Sequence, residues 1–338
     1  MDGNDQPDAS HAGVGDKEAA GGRRPVRGPA RVRRTALRVV AITVATTMLA
    51  VACQVVRNSG TEPLGAVPVG ALRLATHNVH YILLNESSGR WSVGDWEARR
   101  DALDLAFKAL GADLAAFQEM ESFAGGDESE VNLALEWLLE RNSGYAAAAV
   151  GDPSAFPSTQ PILFRRDRLE LLEQGWFFFS ETPDVIYSRT FDGSYSAFAS
   201  WARFRVREKS EEGGAGFRVI NVHVDFRSGE NRRRSIELVA SRVAPWIEAG
   251  ERVFLAGDLN ARLGSSLHER LEAIGFTFVP VTGATYHFDR GINLFGAIDH
   301  IAYGPGIAGV GLPSVLRQRF DGEWPSDHYP LVADFRLE

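Results

Sequence analysis

Val253-Phe254-Leu255-Ala256-Gly257-Asp258-Leu259-Asn260 is the stretch from which the fold can be read. An apolar run of this length between turn signals reads as a strand. Here it ends in an aspartate and, two residues on, an asparagine. The same construction recurs along the chain: Asn78 follows Leu72 to Thr76, Glu119 follows Leu114 to Phe117, and His223 and Asp225 flank Val224 at the end of an apolar strand. Asp299 and Asp327-His328 stand beside further apolar runs. Polar groups at strand ends along one edge of a sandwich converge. Convergent oxygen ligands suit Mg2+ or Mn2+ rather than a soft metal. Phosphoester hydrolysis needs such a set: a hard cation for the phosphoryl oxygens, a positioned base for water, and a donor for the leaving group.

Outward from that stretch, short apolar runs alternate with helical periods and no fixed-length repeat appears. The spacing predicts strands over 72–79, 113–118, 145–150, 160–164, 169–179, 198–206, 217–224, 252–256, near 276, and over 297–302 and 331–336. Asp95 is placed to cap a helix whose apolar face is Trp96, Leu103, Phe107 and Leu110, ended by Gly111. Further helices are expected over 128–141, over a segment carrying Ile236, Val239, Ala240 and Val243 that Pro245 should end or kink, and over 265–273. Trp176 to Phe179 and Trp201 read as core, because aromatic residues favour strands. Many strands with a few interspersed helices imply an α/β chain, a two-sheet β-sandwich flanked by helices, within one domain over 71–338.

The 338-residue chain is 44% hydrophobic and 10% aromatic, enough for a large core and against wholesale disorder. Its net charge is −8. Basic residues outnumber acidic ones up to Arg57, so the body beyond is more negative still. Such a body lacks the broad positive face that holds nucleic acid by neutralising phosphates. The single cysteine, Cys53, excludes a disulfide framework and a cysteine-ligated zinc site.

Residues 1–38 read as a disordered tail with a basic end, and 39–56 carry no formal charge after Arg31, Arg33, Arg34 and Arg38. Eighteen helical residues span about 27 Å, close to the hydrocarbon core, so the segment serves as a signal or as an uncleaved anchor. Arg33 to Arg38 resembles a twin-arginine signal with Ala36 in place of the usual bulky apolar residue. Ala50-Val51-Ala52-Cys53 resembles a lipobox with Ala50 in place of leucine. Cys53 is thus a lipidation candidate or an inert residue of a membrane helix. Either way the body is expected on the extracytoplasmic side of the cell membrane, joined by a linker over 57–70.

Six segments in order, Thr76-His77-Asn78-Val79, Phe117-Gln118-Glu119, Asn221-Val222-His223-Val224-Asp225, Gly257-Asp258-Leu259-Asn260-Ala261, Ile298-Asp299-His300 and Ser326-Asp327-His328-Tyr329-Pro330, make residues 71–338 resemble the endonuclease/exonuclease/phosphatase superfamily. The resemblance implies a four-layer, deoxyribonuclease I-like fold. It implies Glu119 as main metal ligand, Asn78 beside it, and Asp327 in the outer metal environment. Asp258 and Asn260 would position the attacking water and the phosphate. His328, oriented by Asp299, would be the catalytic histidine, and His223 a phosphate contact near the leaving group. Whether His328 or Asp258 takes the water's proton stays open at this level. Arg189 and Arg233, from the run Arg232-Arg233-Arg234, are the substrate-side candidates. His77, His80 and His287 match no ligand spacing, and His300 reads as structural because adjacent strand residues face opposite ways.

The expectation is a monomeric, membrane-tethered hydrolase of a phosphoester substrate, dependent on Mg2+ or Mn2+. A lipid headgroup or small phosphoester is favoured over nucleic acid. A secreted or surface nuclease is the alternative, and a catalytically silent binding module on the same fold the alternative of another class. Substrate choice is expected in the loops 122–130 and 182–196.

Overall fold

A computed structural model describes residues 29–60, 63–124, 131–207 and 215–338. Most of the expected tail and part of the 122–130 loop lie outside them. The chain divides into two compact units, Met1–Ala50 and Val51–Glu338. Helix α1, Pro29–Arg57, starts well before the uncharged run because Arg, Ala and Leu around residues 31–38 are themselves good helix formers. Its part Arg33–Arg57 contains an 18-residue window of mean hydropathy 2.2 and is long and apolar enough to cross a membrane, a property signal sequences share.

The strands are β1 (Leu72–Asn78), β2 (Ile82–Leu83), β3 (Leu114–Gln118), β4 (Ser122–Phe123), β5 (Tyr145–Ala148), β6 (Ile162–Arg165), β7 (Leu169–Phe178), β8 (Phe198–Val206), β9 (Gly216–His223), β10 (Val253–Asp258), β11 (Thr277–Phe278), β12 (Asp299–Tyr303), β13 (Ile307–Val315) and β14 (Leu331–Leu337). The helices after α1 are α2 (Val93–Leu110), α3 (Leu133–Arg141), α4 (Gly229–Glu248) and α5 (Ser266–Glu272). Two six-stranded sheets run β13-β14-β1-β3-β6-β5 and β11-β12-β10-β9-β8-β7, and β2 pairs with β4 apart from them.

Apolar side chains collect in three layers. One lies between the sheets (Leu74, Leu114, Phe204, Phe217, Phe254, Phe335). A second packs α2 and α3 on the first sheet through Leu103, Phe107, Phe117 and Leu138. The third packs α4 and α5 on the second sheet through Ile220, Ile236, Val239, Leu255 and Leu271. Helix, sheet, sheet, helix is the four-layer sandwich expected.

Each sheet holds one parallel pair joined through a helix: β1-α2-β3 in the first and β9-α4-β10 in the second. The strands of both pairs are buried on both faces and so read as continuous apolar runs. The antiparallel partners β14 and β12 pair with β1 and β10, with Thr76 opposite Leu331 and Asp258 opposite Asp299. The carboxyl ends of the two parallel pairs and the turns entering β12 and β14 therefore meet at one edge, where open sheets hold ligands.

Several local expectations are corrected. Ser92, not Asp95, caps α2, its hydroxyl accepting from the Asp95 backbone N–H at 3.1 Å. Helix α4 runs through Pro245 to Glu248. The proline removes one donor near the end, while the buried stripe Ile236, Val239, Ala240 and Val243 holds the rest. Trp176 and Trp201 are only partly buried; Trp201 instead lies 4.3 Å beneath the Arg218 guanidinium and packs edge-on to Trp246. The edge strand β13 escaped prediction because Gly309, Gly311 and Pro313 weaken its pattern. Nor is all of 57–70 a free linker: Asn58 is buried, and Leu64 packs onto the layer beneath α2.

Candidate active site

At the end of β1, the Asn78 amide donates to Glu119 Oε1 at 2.8 Å and to Asp258 Oδ2 at 3.2 Å. One side chain thereby ties the ends of both sheets together. Glu119 follows β3 in the left-handed region, φ 52°. A non-glycine residue is held there only by surrounding structure, and such strain collects at functional sites. The turn directs its half-buried carboxylate into the gap between the strand ends. His223, closing β9, has Nε2 3.7 Å from Glu119 Oε1 and 3.9 Å from Asp258 Oδ2.

Asp258 closes β10 and is buried. Its Oδ1 accepts the Asn260 backbone N–H at 2.8 Å, leaving Oδ2 to face Asn78, His223 and His328. Asn260, at φ 45°, is held by its own amide donating to the Val224 carbonyl at 2.9 Å. Burial, then repulsion from Asp299, raises the Asp258 carboxyl to about 6 against the pull of His328 and His223.

His328 Nδ1 lies 2.9 Å from Asp299 Oδ2, and its Nε2 3.8 Å from Asp258 Oδ2. Burial alone would discharge the imidazole. The Asp299 charge and hydrogen bond, with Asp258 and Asp327, outweigh it and raise His328 well above the ordinary histidine value. Asp299 is buried too, yet the same imidazole holds its carboxyl below the usual range. Backbone contacts fix the pair: Thr285 Oγ1 accepts the Asp299 N–H at 3.1 Å, the Thr285 carbonyl accepts the Tyr329 N–H at 2.6 Å, and Tyr286 bridges to His328 with rings 4.9 Å apart.

Not every residue predicted for the site joins it. Asp327 pairs with Arg90 at 2.9 Å. Arg90 also holds Asp289 at 2.8 Å, so a guanidinium already fills the acidic niche that these carboxylates form with His80. Arg233 is engaged on the exposed face of α4 by Glu230 and Glu237, each at 2.5 Å. Arg189 folds onto its own loop, donating to the carbonyls of Gly193 and Ser194. Arg232 donates to the carbonyls of Asp225 and Phe226, steadying the turn after His223. His300 Nε2 donates to the Ala261 carbonyl at 2.8 Å and the ring is buried beside His268, as a structural histidine would be.

Arg90, Thr285, Tyr286 and Asp289 escaped the sequence reading. They sit in loops without periodicity or motif, and only tertiary packing brings them to the edge. A buried amide network beneath the site was equally invisible: Gln118 donates to Asn221 Oδ1 at 2.6 Å, and Asn221 to the Phe117 carbonyl at 2.7 Å. It crosses between the sheets and fixes their ends relative to each other.

Glu119 and Asp258 thus face one gap, and among the described residues no lysine or arginine is paired with either. Two carboxylates without a lysine or arginine partner form a donor set of the hard-cation type. In His328 with Asp258 and Asp299, also grouped closely enough for metal binding, one ring nitrogen is already committed to Asp299. That group reads as a proton-holding pair.

The sequence profile of the Endonuclease/Exonuclease/phosphatase family matches residues 75–328. The chain belongs to this family. As an Endonuclease/Exonuclease/phosphatase protein it is a metal-dependent phosphoester hydrolase. Comparison with curated protein sequences finds no match. Among solved structures, it is similar to a family protein from Bacteroides thetaiotaomicron (22% identity, 79% of this chain and 98% of that one, TM-score 0.65). It is similar also to a mannosyl-6-phosphatase from the same organism (22%, 79% and 100%, 0.65) and to the human nocturnin catalytic domain with bound sulfate (16%, 81% and 97%, 0.55). At these identities the likeness is one of fold.

Proposed function

We propose that this family member hydrolyses a lipid-headgroup or other small phosphoester on the extracytoplasmic face of the cell membrane, with Asp258 as base and His328 as a charged donor. The observation that carries the chemistry is the His328 imidazole between Asp299 and Asp258. With its pKa held high by Asp299, His328 is protonated near neutral pH and therefore suited to donate. Asp258 Oδ2, which takes only the long Asn78 amide bond while Oδ1 holds the Asn260 N–H, is suited to accept the water's proton.

Glu119, with Asn78 beside it, would hold Mg2+ or Mn2+, which when bound neutralises phosphoryl oxygens. His328 then donates a hydrogen bond to a phosphoryl oxygen as charge grows there, and the Asp299 carboxylate stabilises the imidazolium. His223, partly exposed at the gap, is placed to meet the phosphate near the leaving group. The presence of all these groups in one edge weighs against a silent module.

The tether rests on α1, led by arginines and containing Cys53 four residues before its end. The substrate preference rests on the acidic body and on Arg189 and Arg233 being taken up locally, so that these two candidates are not free for a polyanion. Purified protein assayed side by side on phospholipid vesicles, small phosphoesters and duplex DNA, at equal phosphate and moderate salt, tests this. Faster turnover of the lipid or small ester is expected. Robust nicking of duplex DNA with neither other activity would overturn it in favour of a nuclease.

A further inference from the structure

The first residue after α1 is wired into the loop that holds the His328–Asp299 pair. The Asn58 carbonyl accepts the Ala284 N–H at 3.0 Å, and its amide donates to the Asn293 carbonyl at 3.2 Å. Asn293 in turn donates to Ser59 Oγ at 2.8 Å. Arg317 closes the strap from outside, donating to the carbonyls of Gly60, Thr282 and Ala284. Gly283, at φ +76°, makes room: a Cβ there would stand 2.5 Å from the Asn58 carbonyl oxygen and 2.8 Å from Arg317 Nη2. Real Cβ atoms do not approach backbone so closely, so the seat of the Asn58 carbonyl requires glycine at 283.

Beyond Ala284 the same loop continues into the pair's supports. Thr285 binds the backbone N–H groups of Ile298 and Asp299 through its hydroxyl and that of Tyr329 through its carbonyl. Tyr286 bridges to His328, and the His287 N–H donates to the Asp327 carbonyl at 2.8 Å. The seat of Asn58 at Ala284 is thus followed directly in the chain by Thr285 and Tyr286, whose contacts align His328 with Asp299.

We propose that Asn58 is a positioning residue: the strap Asn58–Gly60, next to the apolar helix, braces the 282–293 loop and so holds the catalytic pair in register. The proposal rests on the catalytic reading of His328 and Asp299. Attachment through α1 and catalytic geometry are coupled by it. A chain cut beyond Gly60 would lose rate while keeping its sandwich.

The full chain in detergent decides the matter, assayed with Mg2+ on p-nitrophenyl phosphate, bis(p-nitrophenyl) phosphate and phospholipid vesicles, with amide hydrogen exchange in parallel. Asn58→Ala and Gly283→Ala are each expected to lower kcat about tenfold, the scale at which misplaced groups cost rate, with KM changed less than about twofold. Gly70→Ala is the control, since Gly70 has the same φ of +76° and nothing within 4 Å of its Cβ position; its kcat should stay that of the parent. The double variant Asn58→Ala/Gly283→Ala should fall no further than the worse single one, because both free the same strap. The Asp299 and Tyr329 N–H groups should lose protection in both single variants.

Parental kcat in Asn58→Ala and Gly283→Ala, or equal losses in Gly283→Ala and Gly70→Ala, would overturn the proposal. So would unchanged exchange at Asp299 and Tyr329, a readout that needs no turnover. His328→Ala runs alongside: parental turnover in it would overturn the catalytic reading itself, whereas an inactive His328→Ala beside a fully active Asn58→Ala would overturn the brace alone.

Discussion

His328 stands between two carboxylates of unequal role, with Asp299 Oδ2 at 2.9 Å from Nδ1 and Asp258 Oδ2 at 3.8 Å from Nε2. The first contact is a hydrogen bond; the second is longer than one, so the Nε2 proton is not committed to Asp258. His328→Ala is therefore expected to lower kcat by about 10² or more, and Asp299→Asn to lower kcat far more than it alters KM, as for groups acting in the transition state. Steady-state kinetics on the preferred ester decides it, and near-parental turnover in His328→Ala would refute the assignment.

The pH dependence follows from the same gap. Asp258 is raised to about 6 by burial and by Asp299, so its basic form populates as pH rises through 6. His328 is raised well above 6.5 and keeps its proton across that interval. The pH profile of kcat/KM should climb with unit slope up to about 6, hold a plateau, and decline on the alkaline side as His328 deprotonates. Asp258→Asn should leave little activity at any pH. A flat profile between pH 5 and 7 would contradict this.

Metal dependence separates Glu119 from Asn78. Chelation should abolish activity and Mg2+ or Mn2+ restore it. Glu119→Ala should weaken metal binding, followed by calorimetry, more than Asn78→Ala, because only the first removes a formal charge from the gap. Glu119→Gly should match Glu119→Ala in lost binding yet be more stable, since φ 52° favours glycine. Equal metal affinity in Asn78→Ala and Glu119→Ala would speak against Glu119 as chief ligand.

His77 supplies a stability test. It is buried, its Nε2 3.1 Å from the His328 carbonyl, and burial lowers its pKa from 6.5 to about 3. The depressed folded value means its contribution is fully present above pH 6.5 and is lost as pH falls toward 3, when only the unfolded chain takes up the proton. Between pH 6 and 4 the limiting effect is about 1.4 kcal/mol per pH unit. His77→Gln should show a correspondingly shallower fall of Tm over that range. Parallel Tm curves would show that His77 contributes no such term.

The N-terminal segment has its own test. If Cys53 is lipidated, the mature chain begins there and Cys53→Ser abolishes acylation; if α1 is an uncleaved anchor, the substitution changes nothing. Mass spectrometry of the mature N-terminus distinguishes these, and full-length protein recovered from the cytosol would contradict both.

Much of this was legible in the residues. Buried parallel strands must be apolar on both faces, so β1, β3, β9 and β10 announce themselves, and a polar residue at the close of such a run stands out against it. Asn78, Glu119, His223 and Asp258 are marked that way, and their types alone indicate hard-cation and proton chemistry. The arginine run and Asp95 misled for a common reason. Local sequence shows which charges exist but not their partners, and Glu230 and Glu237 had as good a claim on Arg233 as any phosphate.

Sequence by itself determined the strand runs, the polar residues that end them, the hydrophobic helix before the domain, and through these the family. Tertiary structure alone decided which groups share a gap. Asp258 and Asp299 are 41 positions apart in the chain yet opposite in register, and Asn58 and Ala284 meet only because Gly283 lacks a side chain. Periodicity records which face of each element is buried, since that preference is local to the element. Contacts between loops carry no period, and only closure of the two sheets over their shared core brings those loops to one edge.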